Sequence, residues 1–277
     1  MLWFSMHTNY VISLTTATQR REHIKKEFGR HNISFEFYDA LVPSEYLNQL
    51  IQMHLPNLAQ AKLSEGEKAC FMSHYMLWKK CIDENLPYIY IFEDDVLLGE
   101  DAHLFLEEDK WLDERFNLND KFVLRFETFL KPAKCEDIKI ISYKSREILK
   151  LLGEQYGLAS YVISYKAIKE LCLLISNLPS KKLDAIDILV FRDFLNTSNV
   201  ISYQLIPAIV VQELQWNKNK SLLYSQLEDE RFKLLKHQNR EKKPIKRTLK
   251  EKIIRAINKP KRLIDKRKQK KYIILFK

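Results

Sequence analysis

An α/β fold with a mostly parallel central sheet is what this sequence predicts, and three observations predict it. Short apolar, β-branched segments alternate with amphipathic helical stretches along residues 10–194. One segment, Tyr88-Ile89-Tyr90-Ile91-Phe92, is apolar throughout, as expected of a strand covered on both faces. That segment ends in three consecutive carboxylates, Glu93-Asp94-Asp95, at the end of a strand where open α/β sheets bind ligands.

In chain order, Tyr10-Val11-Ile12-Ser13-Leu14 reads as the first strand. Thr15 to Thr18 offer turn and capping hydroxyls before a helix from Gln19 to Phe28, which closes at Gly29. Ser34 to Asp39 alternates as a second strand, completing a β-α-β opening. Ser64 and Glu67 have the spacing of a capping box. Beyond them Cys70, Phe71, His74, Leu77, Trp78, Cys81 and Ile82 recur every three or four residues, which predicts a helix over Lys68–Glu84. After the buried strand, Lys121–Glu127 and Gly157–Ser164 read as strands, and Tyr165–Ile175 and Ala185–Phe194 as helices.

A chain of 277 residues, 46% hydrophobic and 12% aromatic, can bury a sizeable core. Four cysteines without a CxxC pair or a disulfide framework fit a reducing compartment. The start, Met1 to Met6, lacks the basic residues and cleavage site of a signal peptide, and no apolar run is long enough to span a bilayer. The expectation is a protein that is soluble or peripheral on a membrane.

Charge divides the chain into a body, residues 1–235, and a basic tail, residues 236–277. The tail carries 18 Lys and Arg against Glu241, Glu251 and Asp265, a balance of +15. With +10 for the whole chain, the body is left at −5. Scattered Ile253, Ile254, Ile257, Leu263 and Ile264 suit a helical tail that docks on anionic headgroups, or one that packs on the body or another subunit. Clustered bases with Tyr272 and Phe276 also raise nucleic-acid binding as the reading from another class. No nucleic-acid module accompanies them and the body is acidic, so no nucleic-acid partner is expected.

Three adjacent carboxylates repel one another unless a cation or donors compensate them. A hard divalent ion such as Mg²⁺ or Mn²⁺ takes one or two carboxylates together with diphosphate oxygens, and Asp95 can offer the first. Strand alternation puts Glu93 and Asp95 on one face and Asp94 on the other. A solvated acidic turn is the plain alternative. The chain has only five glycines and neither GxGxxG nor GxxxxGK[ST], so the two main protein-built phosphate cradles are missing.

Other candidates are open to two accounts each. Ser73 and His74 form a polar pair on an apolar helix, suited to a ligand or to a satisfied core position. Arg20 and Arg21 follow the first strand, where they could meet phosphates or simply face solvent. Arg125 and Glu127 point the same way as a buried polar pair. Asp184 and Asp187 precede or open a helix, and capping is their default role.

Taken in order, Tyr10–Leu14 with Arg20-Arg21, then Gly66-Glu67-x-x-Cys70-x-x-Ser73-His74 with Trp78, then Ile91-x-Glu93-Asp94-Asp95-Val96, resemble glycosyltransferase family 25. This is the bacterial lipooligosaccharide biosynthesis group, related to the collagen galactosyltransferases. The likeness runs on through Leu124–Thr128, Ala159–Ser164, Ile186-Asp187 and Pro207–Gln212, about residues 8 to 215 in all. It departs at Ala69, where the motif usually carries Gly, and in having no His between His103 and His237 to serve as a late metal ligand.

The resemblance implies a GT-A-like nucleotide-diphosphosugar transferase fold over residues 1–235. It implies a UDP-sugar donor, most often UDP-galactose with UDP-glucose or another UDP-hexose as alternatives, and inverting transfer of a hexose to a growing lipooligosaccharide. It implies Mn²⁺ or Mg²⁺ held by Asp95 and Asp94, with the third ligand open, and Asp187 as catalytic base. Arg20, Arg21, Ser73, His74, Glu93, Asp94, Arg125 and Glu127 become candidates for the nucleotide sugar. A lipid-linked acceptor implies a cytoplasmic protein, peripheral on the inner face of the membrane, with a homo-oligomer possible. A pseudoenzyme that binds the nucleotide sugar without transfer is disfavoured by the intact acidic triplet.

Overall fold

A computed structural model describes residues 7–217, 223 and 273–277. Its first strand, β1 (Asn9–Ser13), is followed by α1 (Thr18–Gly29), β2 (Glu36–Asp39) and α2 (Glu45–His54). Next come α3 (Glu65–Asp83), β3 (Tyr88–Glu93), β4 (Val96–Leu98) and two single-turn helices, α4 (His103–Leu106) and α5 (Lys110–Asp113). Then β5 (Phe122–Arg125), β6 (Glu127–Thr128), β7 (Cys135–Glu136), β8 (Glu147–Leu151) and β9 (Ser160–Ser164) lead into α6 (Tyr165–Ser176) and a short α7 (Ile186–Ile188). The order closes with β10 (Ile201–Ile206), β11 (Val210–Gln212) and α8 (Glu213–Trp216).

The main sheet has eight strands in the order β2-β1-β3-β9-β5-β10-β8-β7. Parallel pairing joins β2, β1 and β3, and again β5 and β10, while β9 and β8 run against their neighbours. Strand direction is therefore mostly parallel, with β9 inserted in reverse at the centre. A second sheet, β4-β11-β6, sits at the carboxyl edge of the first.

Period-two alternation divides the core into two layers. Ile89, Ile91, Val123, Tyr161 and Ile163 pack with α2, α3 and α6. Tyr90, Phe92, Leu124 and Val162 pack with Ile24 and Phe28 of α1 and with Phe105 and Trp111. Covering both faces is what makes β3 apolar throughout.

Local signals act as expected at α3, where Ser64 Oγ accepts from Glu67 N at 3.1 Å and Glu67 Oε2 accepts from Ser64 N at 2.9 Å. They fail at α1, whose cap position is Ala17 with no side-chain cap bond, because the helix starts at Thr18 and so takes up the last of the expected hydroxyls. The helix expected over Ala185–Phe194 is only one α-turn, followed by a π-helical segment at Leu189–Asp193. The strand expected over Lys121–Glu127 breaks at Phe126, where the chain passes from the main sheet to the small one.

The boundary at residue 235 and a helical tail lie outside the described residues. Residues 273–277 run extended along the body: Ala208 N donates to Leu275 O at 2.8 Å, and Thr128 Oγ1 to Ile274 O at 2.6 Å. Ile274 is buried, and Phe276 meets Trp216 edge to face. Among the described residues no helix is long and apolar enough to cross a membrane.

Candidate active site

The carboxylate triplet stands where β3 ends, and the chain turns at Asp94-Asp95 into β4 of the small sheet. Alternation sends neighbouring side chains to different layers. Asp94 faces α1: its Oδ2 accepts from Ser13 Oγ at 2.7 Å and its Oδ1 from Arg20 Nη1 at 2.5 Å. Arg20 Nη2 also lies 3.7 Å from Asp95 Oδ2. Glu93 faces α3, with Oε1 3.7 Å from His74 Nε2.

Gln212, the last residue of β11, joins the two acids that share a face. Its amide nitrogen donates to Glu93 Oε2 at 3.1 Å and lies 3.4 Å from Asp95 Oδ1. Antiparallel pairing of Gln212 with Val96 puts it there, and Glu213 N donates to Asp95 O at 2.8 Å.

Electrostatics mark this cluster as undercompensated. Burial, then the charges of Asp94 and Asp187, raise the Glu93 carboxyl to about 7. Burial and the neighbouring Glu93 raise Asp95 to about 7 as well, against the opposing pull of Arg20. Burial works against the Arg20 guanidinium, yet Asp95, Asp94 and Glu93 together hold it above its ordinary value. One guanidinium therefore faces three carboxylates.

A second buried group lies behind. Arg125 and Glu127, each 1% exposed at the side chain, approach to 3.3 Å across the break between β5 and β6. Arg125 Nη2 donates to Tyr156 O at 2.6 Å, and its guanidinium lies over the Phe191 ring. Glu127 Oε1 accepts from Ala159 N at 2.9 Å, and burial raises this carboxyl to about 7 despite Arg125.

Asp187 is inside α7 and not at its cap. Its Oδ2 accepts from Gly157 N at 2.8 Å, and it interacts electrostatically with His74 and Glu93. Gly157 has φ +82°, and a Cβ there would meet the Phe129 ring at 2.5 Å and Glu127 Oε2 at 3.1 Å, so only glycine lets this loop bring its N–H to Asp187. Asp184 is the residue that hydrogen-bonds locally, accepting from Ala185 N and Arg192 Nη2.

Arg20, His74, Glu93, Asp94, Asp95, Arg125, Glu127 and Asp187 thus gather at one edge of the sheet. Two expected residues face elsewhere. Arg21 donates to the carbonyls of Ser13 and Leu14 and pairs with Asp39, tying β1 to β2. Ser73 donates to Ala69 O and accepts from Leu41 N, fastening α3 to the loop after β2. Gln212, Tyr161 and Gly157 complete the site without having been singled out; Gln212 and Tyr161 lie in segments that carry the family likeness, and Gly157 lies just before one.

A divalent cation suits this donor set. Glu93 and Asp95 present hard oxygen atoms at a place of surplus negative charge, whereas both oxygens of Asp94 already accept hydrogen bonds.

Known proteins supply the class: this protein is a glycosyltransferase. A family model described as "Glycosyltransferase family 25 (LPS biosynthesis protein)" matches residues 6–190, and the chain belongs to that family. It is 56% identical over 268 residues to lipooligosaccharide biosynthesis protein lic2B of Haemophilus influenzae, covering 97% of each chain. It is 43% identical over 267 residues to lacto-N-neotetraose biosynthesis glycosyltransferase LgtB of Neisseria meningitidis serogroup B, covering 95% of this chain and 96% of that one. A solved glycosyltransferase involved in glycosylation of the PBCV-1 major capsid aligns over 78% of this chain and 95% of its own at TM-score 0.39 and 10% identity, too remote to bear on the site.

Proposed function

We propose that this enzyme transfers a hexose with inversion from a UDP-sugar, UDP-galactose before UDP-glucose or another UDP-hexose, to the growing chain of a lipooligosaccharide. The observation that carries the reading is the half-buried, undercompensated carboxylate cluster with Arg20 on one side and Asp187 on the other.

Asp95 and Glu93 would hold Mn²⁺ or Mg²⁺, and Asp94 supports them by fixing Arg20. When bound, the cation supplies positive charge against the departing diphosphate. Arg20 adds charge at the same edge. Asp187, oriented by the Gly157 N–H, takes the proton from the acceptor hydroxyl as its oxygen bonds to the anomeric carbon and the bond to the UDP oxygen breaks. Arg125 and Glu127 hold the Tyr156–Ala159 loop in place behind Asp187. The basic tail suits a peripheral position on an anionic cytoplasmic membrane surface, near a lipid-linked acceptor.

The decisive experiment is metal-dependent turnover of a panel of UDP-sugars on truncated lipooligosaccharide, for the wild type and Asp95→Ala. The variant is expected to stay folded and lose metal-stimulated transfer. Full activity in the variant sinks the proposal.

A further inference from the structure

We infer that Cys70, His74 and Glu93 form a binding position for a borderline transition-metal ion, Zn²⁺ by chemistry, which adjoins the hard-cation position at Asp95 and shares Glu93 with it. Cys70 and His74 are four residues apart on α3 and so share a helix face. Glu93 ends the strand beneath them. The ligand atoms of the three residues lie within 4.8 Å of one another, the one such group of His, Cys, Asp or Glu among the described residues.

The donor types point to zinc. A thiolate, an imidazole and one carboxylate oxygen suit a four-coordinate borderline ion, while Mg²⁺ demands oxygen. The surroundings are built as such sites require. His74 Nδ1 is 3.0 Å from the Tyr161 hydroxyl, which also accepts from Trp78 Nε1 at 3.0 Å, and Nε2 is left toward Glu93. In the metal-binding tautomer Nδ1–H donates to the second lone pair of that hydroxyl. Glu93 Oε1 faces His74 while Oε2 accepts from Gln212, so a cation on Oε1 leaves the Gln212 contact intact. The charge of Asp187 acts on both His74 and Glu93, favouring a cation between them. Binding forms a metal–sulfur bond and releases the thiol proton to solvent, so affinity rises with pH.

The test uses the full chain freed of metal, titrated with Zn²⁺ by calorimetry and with Co²⁺ by absorption. One Zn²⁺ per chain and a thiolate-to-cobalt charge-transfer band are expected. Tyr161→Phe should weaken Zn²⁺ binding by about tenfold. Cys70→Ser and His74→Gln should weaken it further, and Cys70→Ser should also erase the band. Circular dichroism checks that each variant is folded, and Asp95→Asn should bind Zn²⁺ as the wild type does. A cobalt complex without the band, or wild-type affinity in folded Cys70→Ser and His74→Gln, overturns the inference. So does loss of zinc in Asp95→Asn equal to that in Cys70→Ser, which would place the ion in the other cluster. The readout is metal binding alone, so the site stands or falls independently of the sugar-transfer proposal.

Discussion

Glu93, Asp94 and Asp95 are chemically alike, and the pleat gives them different work. Asp94 is spent on Ser13 and Arg20, whereas Glu93 and Asp95 face Gln212 with raised carboxyl values. The split between faces was legible from period two alone. Asp94's engagement on both oxygens was not, because it needs α1 to deliver Arg20 across 74 residues of sequence. Asp187 shows the same limit: its local context reads as a cap, and only the loop at Gly157 gives its carboxylate another partner. Asp187→Asn keeps the size and the acceptor oxygen for Gly157 N–H but cannot take a proton. Its kcat is expected to fall by about 10² or more with little change in UDP-sugar affinity. Paired rate and binding measurements check this, and an unchanged rate removes Asp187 from the role.

Elements were legible where their causes are local. The α3 helix has its capping box and its three-four spacing within a few residues, and both are present in the structure. Ser64→Ala should therefore cost about 1 kcal/mol, read from urea unfolding, while a loss within error would mean the box contributes nothing. The segment at Leu189–Asp193 behaves otherwise. Its apolar spacing reads as α-helix, yet the structure winds it as a π-helix where Phe191 lies beneath the Arg125 guanidinium, a contact set by β5 and invisible to helical periodicity. The break at Phe126 is likewise a demand of the small sheet, whose β6 pairs with β11 more than 80 residues on.

At the scale of the whole molecule, buried charge links stability to pH. Glu93, Asp95 and Glu127 are each raised to about 7, so between about pH 4 and 7 the folded protein keeps protons that the unfolded chain has lost. Their contribution to stability falls as pH rises through that window. His74, lowered to about 4 by burial, acts in the opposite sense, costing stability as pH falls from about 6.5 to 4. Three groups outweigh one, and the net contribution of this set declines toward neutrality. Mn²⁺ should raise the thermal midpoint more at pH 7.5, where the carboxylates are ionised, than at pH 5. Melting curves with Mn²⁺ or chelator decide it, and equal increments at both pH values refute it. The tail makes a second prediction at this scale. Because residues 273–277 pack on the body, neutralising Lys and Arg only within 236–271 spares that contact. Such a variant should lose co-sedimentation with anionic vesicles and keep transfer to a soluble acceptor; unchanged sedimentation rejects the membrane role.

What the sequence determined by itself was the alternation of strands and helices, the buried character of β3, the acidic triplet at its end and the order of motifs that marks the family. These are encoded within one element or in the spacing of neighbouring ones, where sterics and burial periodicity act directly. The tertiary structure alone decided that Gln212 joins Glu93 and Asp95, that Arg21 and Ser73 turn away from the carboxylates, that β9 enters the sheet reversed, and that the end of the basic tail lies on the body. Each of those contacts joins residues from separate elements, and its partner is chosen by how the layers pack.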